Sequence, residues 1–143
     1  MKIVQLNKEM VLENIVRLIE IDRAIIDEGG TWTLDNFLMK LNHKWDYSFA
    51  MLVDNQIAGF VICSVKDNSL YIHRLAVLPE YQGKKIGSTL LKYICEICLK
   101  QHMNCVTLQV KKFNIEAQRF YERHGFERIG SNGPNYVYKK VIR

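Results

Sequence analysis

One stretch near the middle of the chain constrains the fold more than any other: Leu75-Ala76-Val77-Leu78-Pro79-Glu80-Tyr81-Gln82-Gly83-Lys84-Lys85-Ile86-Gly87. An apolar strand runs into a loop of glycine and lysine, and an amphipathic helix follows at once. Closely approaching backbone, free N–H groups and a helix N-terminus aimed at one point make a cradle for phosphate. The segment predicts a nucleotide-like ligand before any other residue is read.

The rest of the chain has to supply a sheet for that strand. Residues 2–6 read as a short strand, and Asn7 caps a predicted helix over 8–24 with Val11, Ile15, Leu18 and Ile19 on its apolar face. The Gly29-Gly30 pair breaks it, and a second helix starts at Thr33 with Leu34, Phe37, Leu38 and Leu41 inward. Strands at 47–53 and 56–66 flank the hairpin turn Asp54-Asn55, and Asp67-Asn68 introduces the strand 70–78. Beyond the cradle come a helix over 86–100, a strand at 105–110 and a helix near 114–124 ended by Gly125. Strands at 126–131 and 135–142 enclose Asn132-Gly133-Pro134. An antiparallel meander followed by a parallel crossover gives an α+β fold with a mixed sheet.

At 143 residues, 48% apolar and 24% charged, the chain reads as one domain over 1–143 with an ordinary globular composition. No apolar run approaches the roughly 20 residues of a membrane span, and the start of the chain lacks a signal-peptide pattern. The expectation is a cytoplasmic protein with no membrane partner. A net charge of +5 favours an anionic ligand. Nucleic acid, a membrane surface and a phosphorylated cofactor all fit that charge, but the basic residues are scattered apart from pairs such as Lys84-Lys85, Lys111-Lys112 and Lys139-Lys140, which argues against a nucleic-acid binder.

Cys95 and Cys98 have CxxC spacing, yet Gly87, Leu90, Leu91, Ile94, Cys95 and Cys98 fall on one helix stripe. Cys63 and Cys105 lie in strand-like runs, with no second CxxC. They read as core thiols, and no metal is expected.

Two motifs in order, Gln82-Gly83-Lys84-Lys85-Ile86-Gly87 and Asn114-x-x-Ala117-x-x-Phe120-Tyr121-Glu122-x-x-Gly125-Phe126, resemble the GNAT superfamily of acyl-CoA-dependent N-acyltransferases over the whole chain. The resemblance implies a sheet flanked by helices and splayed into a V between the strands 70–78 and 105–110, with acetyl-CoA as co-substrate. It implies that Leu75, Ala76 and Val77 meet the pantetheine arm through backbone groups, with the Val77 N–H polarising the thioester carbonyl. Gln82, Gly83, Lys84, Lys85, Ile86, Gly87 and Ser88 would receive the pyrophosphate, helped by the helix dipole. The family's central glycine is Lys85 here: a positive φ there means strain, while a tolerated lysine adds a cation beside phosphate. Asn114 is either an N-cap or a cofactor ligand.

The resemblance assigns Tyr121 as the acid that protonates the leaving thiolate. Ribosomal-protein N-terminal acetyltransferases, a loosely similar subgroup, carry a glutamate base where this chain has Gln109. His73, taken by strand alternation to share a face with Leu75 and Val77, is one candidate base. Water or an already neutral amine is another. His102 and His124 read as surface residues at helix ends. The same subgroup suggests that Trp32 lines the acceptor site, and Asp27, Glu28 and Asp35 could draw a cationic amine. The expected activity is acetyl transfer to a primary amine, small molecule or protein N-terminus, by direct attack in a ternary complex. The alternative is a catalytically weak acyl-CoA-binding module. A strand edge near 135–142 could pair two copies as a homodimer.

Overall fold

The computed structural model describes residues 1–25 and 30–142. Its strands are β1 (Lys2–Gln5), β2 (Phe49–Val53), β3 (Gln56–Lys66), β4 (Ser69–Val77), β5 (Cys105–Lys111), β6 (Glu127–Asn132) and β7 (Asn135–Val141). The helices are α1 (Lys8–Glu13), α2 (Ile15–Asp22), α3 (Leu34–Leu38), α4 (Ile86–Lys100) and α5 (Ile115–Arg123). The strands form one open mixed sheet in the order β1-β2-β3-β4-β5-β7-β6.

Local chemistry explains most boundaries. Asp54 and Asn55 both adopt positive φ, as do Asp67 and Asn68, so two tight hairpins carry β2 into β3 and β3 into β4. The Asn7 side chain accepts from the Met10 N–H at 2.8 Å and starts α1. Thr33 and Asn36 form a capping box at the start of α3. The predicted helix over 8–24 is two helices. At Asn14 both the backbone N–H and the side-chain amide turn back onto the Met10 carbonyl, at 3.0 and 2.9 Å, ending α1 before α2 begins. Leu34, expected inward, is 38% exposed because it occupies the first turn of α3, while Phe37 is fully buried.

The sheet is covered on both faces. Leu6, Val11, Leu18, Ile21 and Phe37 pack with Ala50, Phe60, Ile62 and Ala76 on the α1–α3 face. On the other, Ile86, Leu90, Leu91, Ile94 and Cys98 of α4 and Tyr121 of α5 pack with Val61, Cys63, Leu70, Ile72 and Leu108. All four cysteines are free thiols, with Cys63, Cys98 and Cys105 buried and Cys95 partly so. Burying most of the apolar area of such side chains stabilises the fold by roughly 1.5–3 kcal/mol each.

Two features of the sheet matter for function. The first is the seam between β4 and β5, the one parallel pairing among the described residues, which joins only Leu70, Ile72 and Tyr71 to Val106, Leu108 and Thr107. Beyond it the strands part. The second is a β-bulge at His73: β3 advances from Ile62 to Cys63 while β4 retreats from Arg74 to Ile72. Leu70 and Ile72 pack toward α4, and so do Leu75 and Val77, three residues out of step. The bulge therefore resets which side chains face which layer.

The edge strands are β1 and β6. β7, which sequence alone offered as an edge for pairing, is hydrogen-bonded to β5 on one side and β6 on the other. No described helix is long and apolar enough to cross a membrane.

Candidate active site

Where β4 and β5 part, they leave a cleft of about 680 Å³. Its wall includes every β4 residue from Tyr71 to Val77, with Gln82, Gly83, Lys85, Ile86, Gly87 and Ser88 from the next loop and helix. Leu108, Gln109, Val110 and Lys111 of β5 and Asn114, Ala117, Phe120 and Tyr121 around α5 close the other side. Ala24 and Ile25, just past α2, line it too. Residues from both layers meet in one cavity, so the cleft passes through the split sheet from one face to the other.

The backbone of β4 presents unpaired groups to this cleft. The Leu78 N–H donates to the Ala58 carbonyl on β3 at 2.9 Å, so strand alternation turns the N–H groups of Leu75 and Val77 the opposite way, into the gap. The Gln82 side-chain amide reaches the Val77 carbonyl at 3.4 Å. The loop then turns through left-handed backbone at Gly83 (φ 84°) and at Lys85 (φ 63°), directly before α4. Lysine thus occupies a conformation that favours glycine, the strained alternative posed by the sequence. Its side chain and that of Lys84 are exposed, and Lys84 lies 5.5 Å from the Tyr81 ring. Gly87 has its ring neighbour Phe120 at 3.5 Å from where a Cβ would stand. The loop, the amides of the first α4 turn and the open β4 edge are a backbone-built cradle whose chemistry fits a pyrophosphate and an extended amide-bearing arm. Among the described residues no cluster of metal-ligating side chains exists.

Asn114 caps α5, accepting from the Ala117 N–H at 3.1 Å, and lines the cleft as well. Tyr121 is 8% exposed and packs edge-on between Phe120 and Phe126, with ring centroids 5.2 and 5.5 Å away. Burial, with the Cys63 thiol nearby, pushes its phenol well above the ordinary tyrosine value, so it keeps its proton across the alkaline range.

His73 is not on the face of Leu75 and Val77. Its Nε2 lies 2.7 Å from the Ser64 hydroxyl, and Ser64 alternates with Phe60 and Ile62 toward the α1–α3 layer. The bulge at His73 defeats the period-two reading. Desolvation, with Lys66 and Lys44 nearby, lowers its imidazole to about 4, so it is neutral at physiological pH. Lys44 itself is buried beneath α3, where its ammonium donates to the Phe37 carbonyl and to the Met39 carbonyl at 2.9 Å. Gln109 is held at the rim, its side-chain oxygen accepting from Asn135 at 3.2 Å and Asn132 at 3.3 Å.

Trp32 does not line the cleft. Its ring meets Phe37 edge-on at 5.2 Å and lies 5.1 Å from the Arg74 guanidinium. Arg74, which the sequence reading missed, does line it: buried, 3.2 Å from Asp22 through Nε and 3.0 Å from the Gly30 carbonyl. Asp22 also accepts the Trp32 N–H at 2.6 Å. Only the pairing of α2 with β4 brings these groups together; no local motif announces them. Asp35 is exposed, and Asp27 and Glu28 lie outside the described residues. His124, read as a surface residue, is partly buried and bonded to Ser88. His102 is exposed, as expected.

The family model described as acetyltransferase (GNAT) family matches residues 16–126. The chain belongs to the GNAT acetyltransferases. An uncharacterized N-acetyltransferase of Archaeoglobus fulgidus is 30% identical over 133 residues, covering 85% of this chain and 90% of that one. A candidate ribosomal protein bS18-alanine N-acetyltransferase of Bacillus subtilis is 27% identical over 121 residues, 84% of this chain and 79% of its own. The PaiA N-acetyltransferase of Thermoplasma acidophilum, solved with coenzyme A, superposes with a TM-score of 0.79 at 22% identity over 98% of both chains. Ard1 from Thermoplasma volcanium gives 0.84 at 22% identity over 99% of this chain and 97% of its own. These likenesses fix the fold of the acetyltransferase and its class, an acetyl-CoA-dependent N-acetyltransferase.

Proposed function

We propose that this acetyltransferase moves an acetyl group from acetyl-CoA to a primary amine of a protein N-terminus or a small polyamine, by direct attack within a ternary complex. The observation that carries the reading is the passage through the sheet: the phosphate cradle opens on the α4–α5 face, and the mouth lined by Ala24, Ile25, His73 and Arg74 opens toward the α1–α3 layer. Donor and acceptor then approach one reacting centre from opposite faces, as direct transfer requires. Relatives named for ribosomal protein bS18-alanine and for spermidine acetylation support both acceptor classes.

Acetyl-CoA supplies the activated thioester. Gln82 to Ser88 hold its phosphates, with backbone N–H groups as the main donors; Leu75, Ala76 and Val77 offer the open strand edge to its arm. The Val77 N–H stands where it would stabilise negative charge on the carbonyl oxygen. Tyr121 Oη, protonated throughout the working range, gives its proton to the leaving sulfur as the bond to the acetyl carbon breaks, and the phenolate, disfavoured by burial, takes a proton back from water in the cleft. Asn114 fixes the start of α5, and so the position of Tyr121, besides facing the cleft. On the acceptor side, His73 faces the amine as a neutral imidazole. Its low affinity for protons makes it a relay toward water rather than a store. Gln109, an amide, holds the rim.

Calorimetric titration with acetyl-CoA, followed by turnover on N-terminal peptides and polyamines with a Tyr121→Phe control, tests the reading. Micromolar binding with turnover lost in the variant is expected. Binding without turnover on either amine class would make the chain an acyl-CoA-binding module instead.

A further inference from the structure

The first turn of α4 carries a hydroxyl whose single proton is controlled from a different helix. Ser88 lines the cleft at the phosphate end, and its Oγ lies 3.0 Å from Nε2 of His124, the residue that ends α5. The other ring nitrogen, Nδ1, lies 2.7 Å from the Phe120 carbonyl oxygen. A carbonyl can only accept, so Nδ1 must carry a hydrogen in every protonation state. In the neutral ring Nε2 is therefore bare, and it must accept from the Ser88 O–H. The hydroxyl then turns only lone pairs toward the cleft, where a phosphate also presents only lone pairs.

Protonation reverses this. An imidazolium donates from both nitrogens. Nε2–H then donates to Ser88 Oγ, and the hydroxyl proton is released to point into the cleft. We propose that His124 is a positioning residue for the donor's pyrophosphate, acting through Ser88 and coupling phosphate binding to proton uptake. The proposal rests on the reading of the loop 82–88 as the phosphate site. Two contacts hold the residue in place. It lies against Phe120 with centroids 4.6 Å apart, and Lys140 of β7 donates to the His124 carbonyl at 2.7 Å. Among the described residues the groups facing His124 are the Ser88 hydroxyl from α4, the Phe120 carbonyl and ring from α5, and the Lys140 ammonium from β7. Glu122 and Arg123 flank it in the chain. The Lys140 ammonium opposes the imidazolium, and a bound pyrophosphate favours it.

The test is calorimetric titration of the whole protein with dephospho-CoA at pH 5.5 and pH 8.5. That probe keeps the pyrophosphate but lacks the phosphomonoester, whose own titration would confuse the comparison. Gaining one hydrogen bond to a charged oxygen predicts about tenfold tighter binding at the lower pH, with proton uptake visible in buffers of different ionisation enthalpy. Ser88→Ala and His124→Gln are each expected to lose the pH dependence of dephospho-CoA binding, whatever their affinity at pH 8.5. Nitrogen chemical shifts of His124 give a check that needs no variant: the Nδ1–H tautomer is expected at high pH. Pyrophosphate binding that is flat with pH, a dependence that survives Ser88→Ala, or an Nε2–H tautomer would each overturn the proposal and leave the phosphate site standing. Failure of the wild type to bind either dephospho-CoA or CoA at any pH would remove the phosphate site as well.

Discussion

The two ends of the cleft are built from different materials. At the proposed phosphate end most of the groups on offer are backbone: the amides of the loop 82–88, the first turn of α4 and the edge of β4. At the opposite mouth they are side chains tied together over long stretches of sequence. Arg74 pairs with Asp22, His73 with Ser64, and Gln109 with Asn132 and Asn135. A backbone site follows once strand, turn and helix form, and it tolerates an unusual side chain such as Lys85. A side-chain site depends on pairings made only when distant elements dock. The first kind survives changes of side chain; the second changes with them.

The largest test of that contrast is Arg74→Met. Leaving Asp22 buried opposite an apolar side chain costs about 3–5 kcal/mol. The melting temperature should fall by roughly 10 °C. In protein that still folds, KM for the amine should rise while the affinity for CoA stays within about twofold. A matching loss of CoA affinity would show that the two ends are one unit. Tyr121→Phe sits between them and should lower kcat about 10²-fold, again with CoA binding intact. An unchanged kcat would remove Tyr121 from the chemistry.

The pH dependence of stability probes the side-chain end alone. His73 titrates at about 4 in the folded protein, below the ordinary 6.5. As pH falls below 6.5 the unfolded chain takes up this proton first, so the contribution is fully present above 6.5 and lost as pH falls through about 4. It amounts to roughly 2 kcal/mol after allowance for partial exposure. His73→Gln should flatten the acid limb of a denaturation series in that window, and an unchanged slope would contradict the assignment. The smallest effect belongs to the backbone end. Lys85→Gly relieves left-handed strain of about 1 kcal/mol, partly offset by the freedom glycine gains when unfolded. The melting temperature should rise by roughly 2 °C or less. CoA affinity should fall less than about threefold, since an exposed lysine contributes only modestly. A larger loss would make the cation, rather than the backbone, the main phosphate ligand.

Sequence reasoning reads the two ends unequally for the same reason. The bounds of β3 and α4 follow from turn residues, a helix N-terminus and apolar spacing within a few positions of each other. The cradle, the cap at Asn114 and the place of Tyr121 in the cleft are equally local. The bulge at His73 is set by the register between β3 and β4, so alternation along β4 alone puts the histidine on the wrong layer. The insertion of β7 between β5 and β6 likewise removes an edge that the strand pattern offers, because pairing partners are chosen by the whole sheet. His124 looks like any polar residue closing a helix until α4 lies beside it.

The short seam between β4 and β5 has a kinetic consequence. A blind pocket has one doorway, so whichever molecule enters last must leave first. On the proposed reading, a slot lined from both faces of the sheet imposes no such queue: coenzyme and amine would each have their own way in and out, and neither product would block the other's exit. On the same reading, a folded protein presenting a free terminus at the surface would be served by the same opening as a small amine.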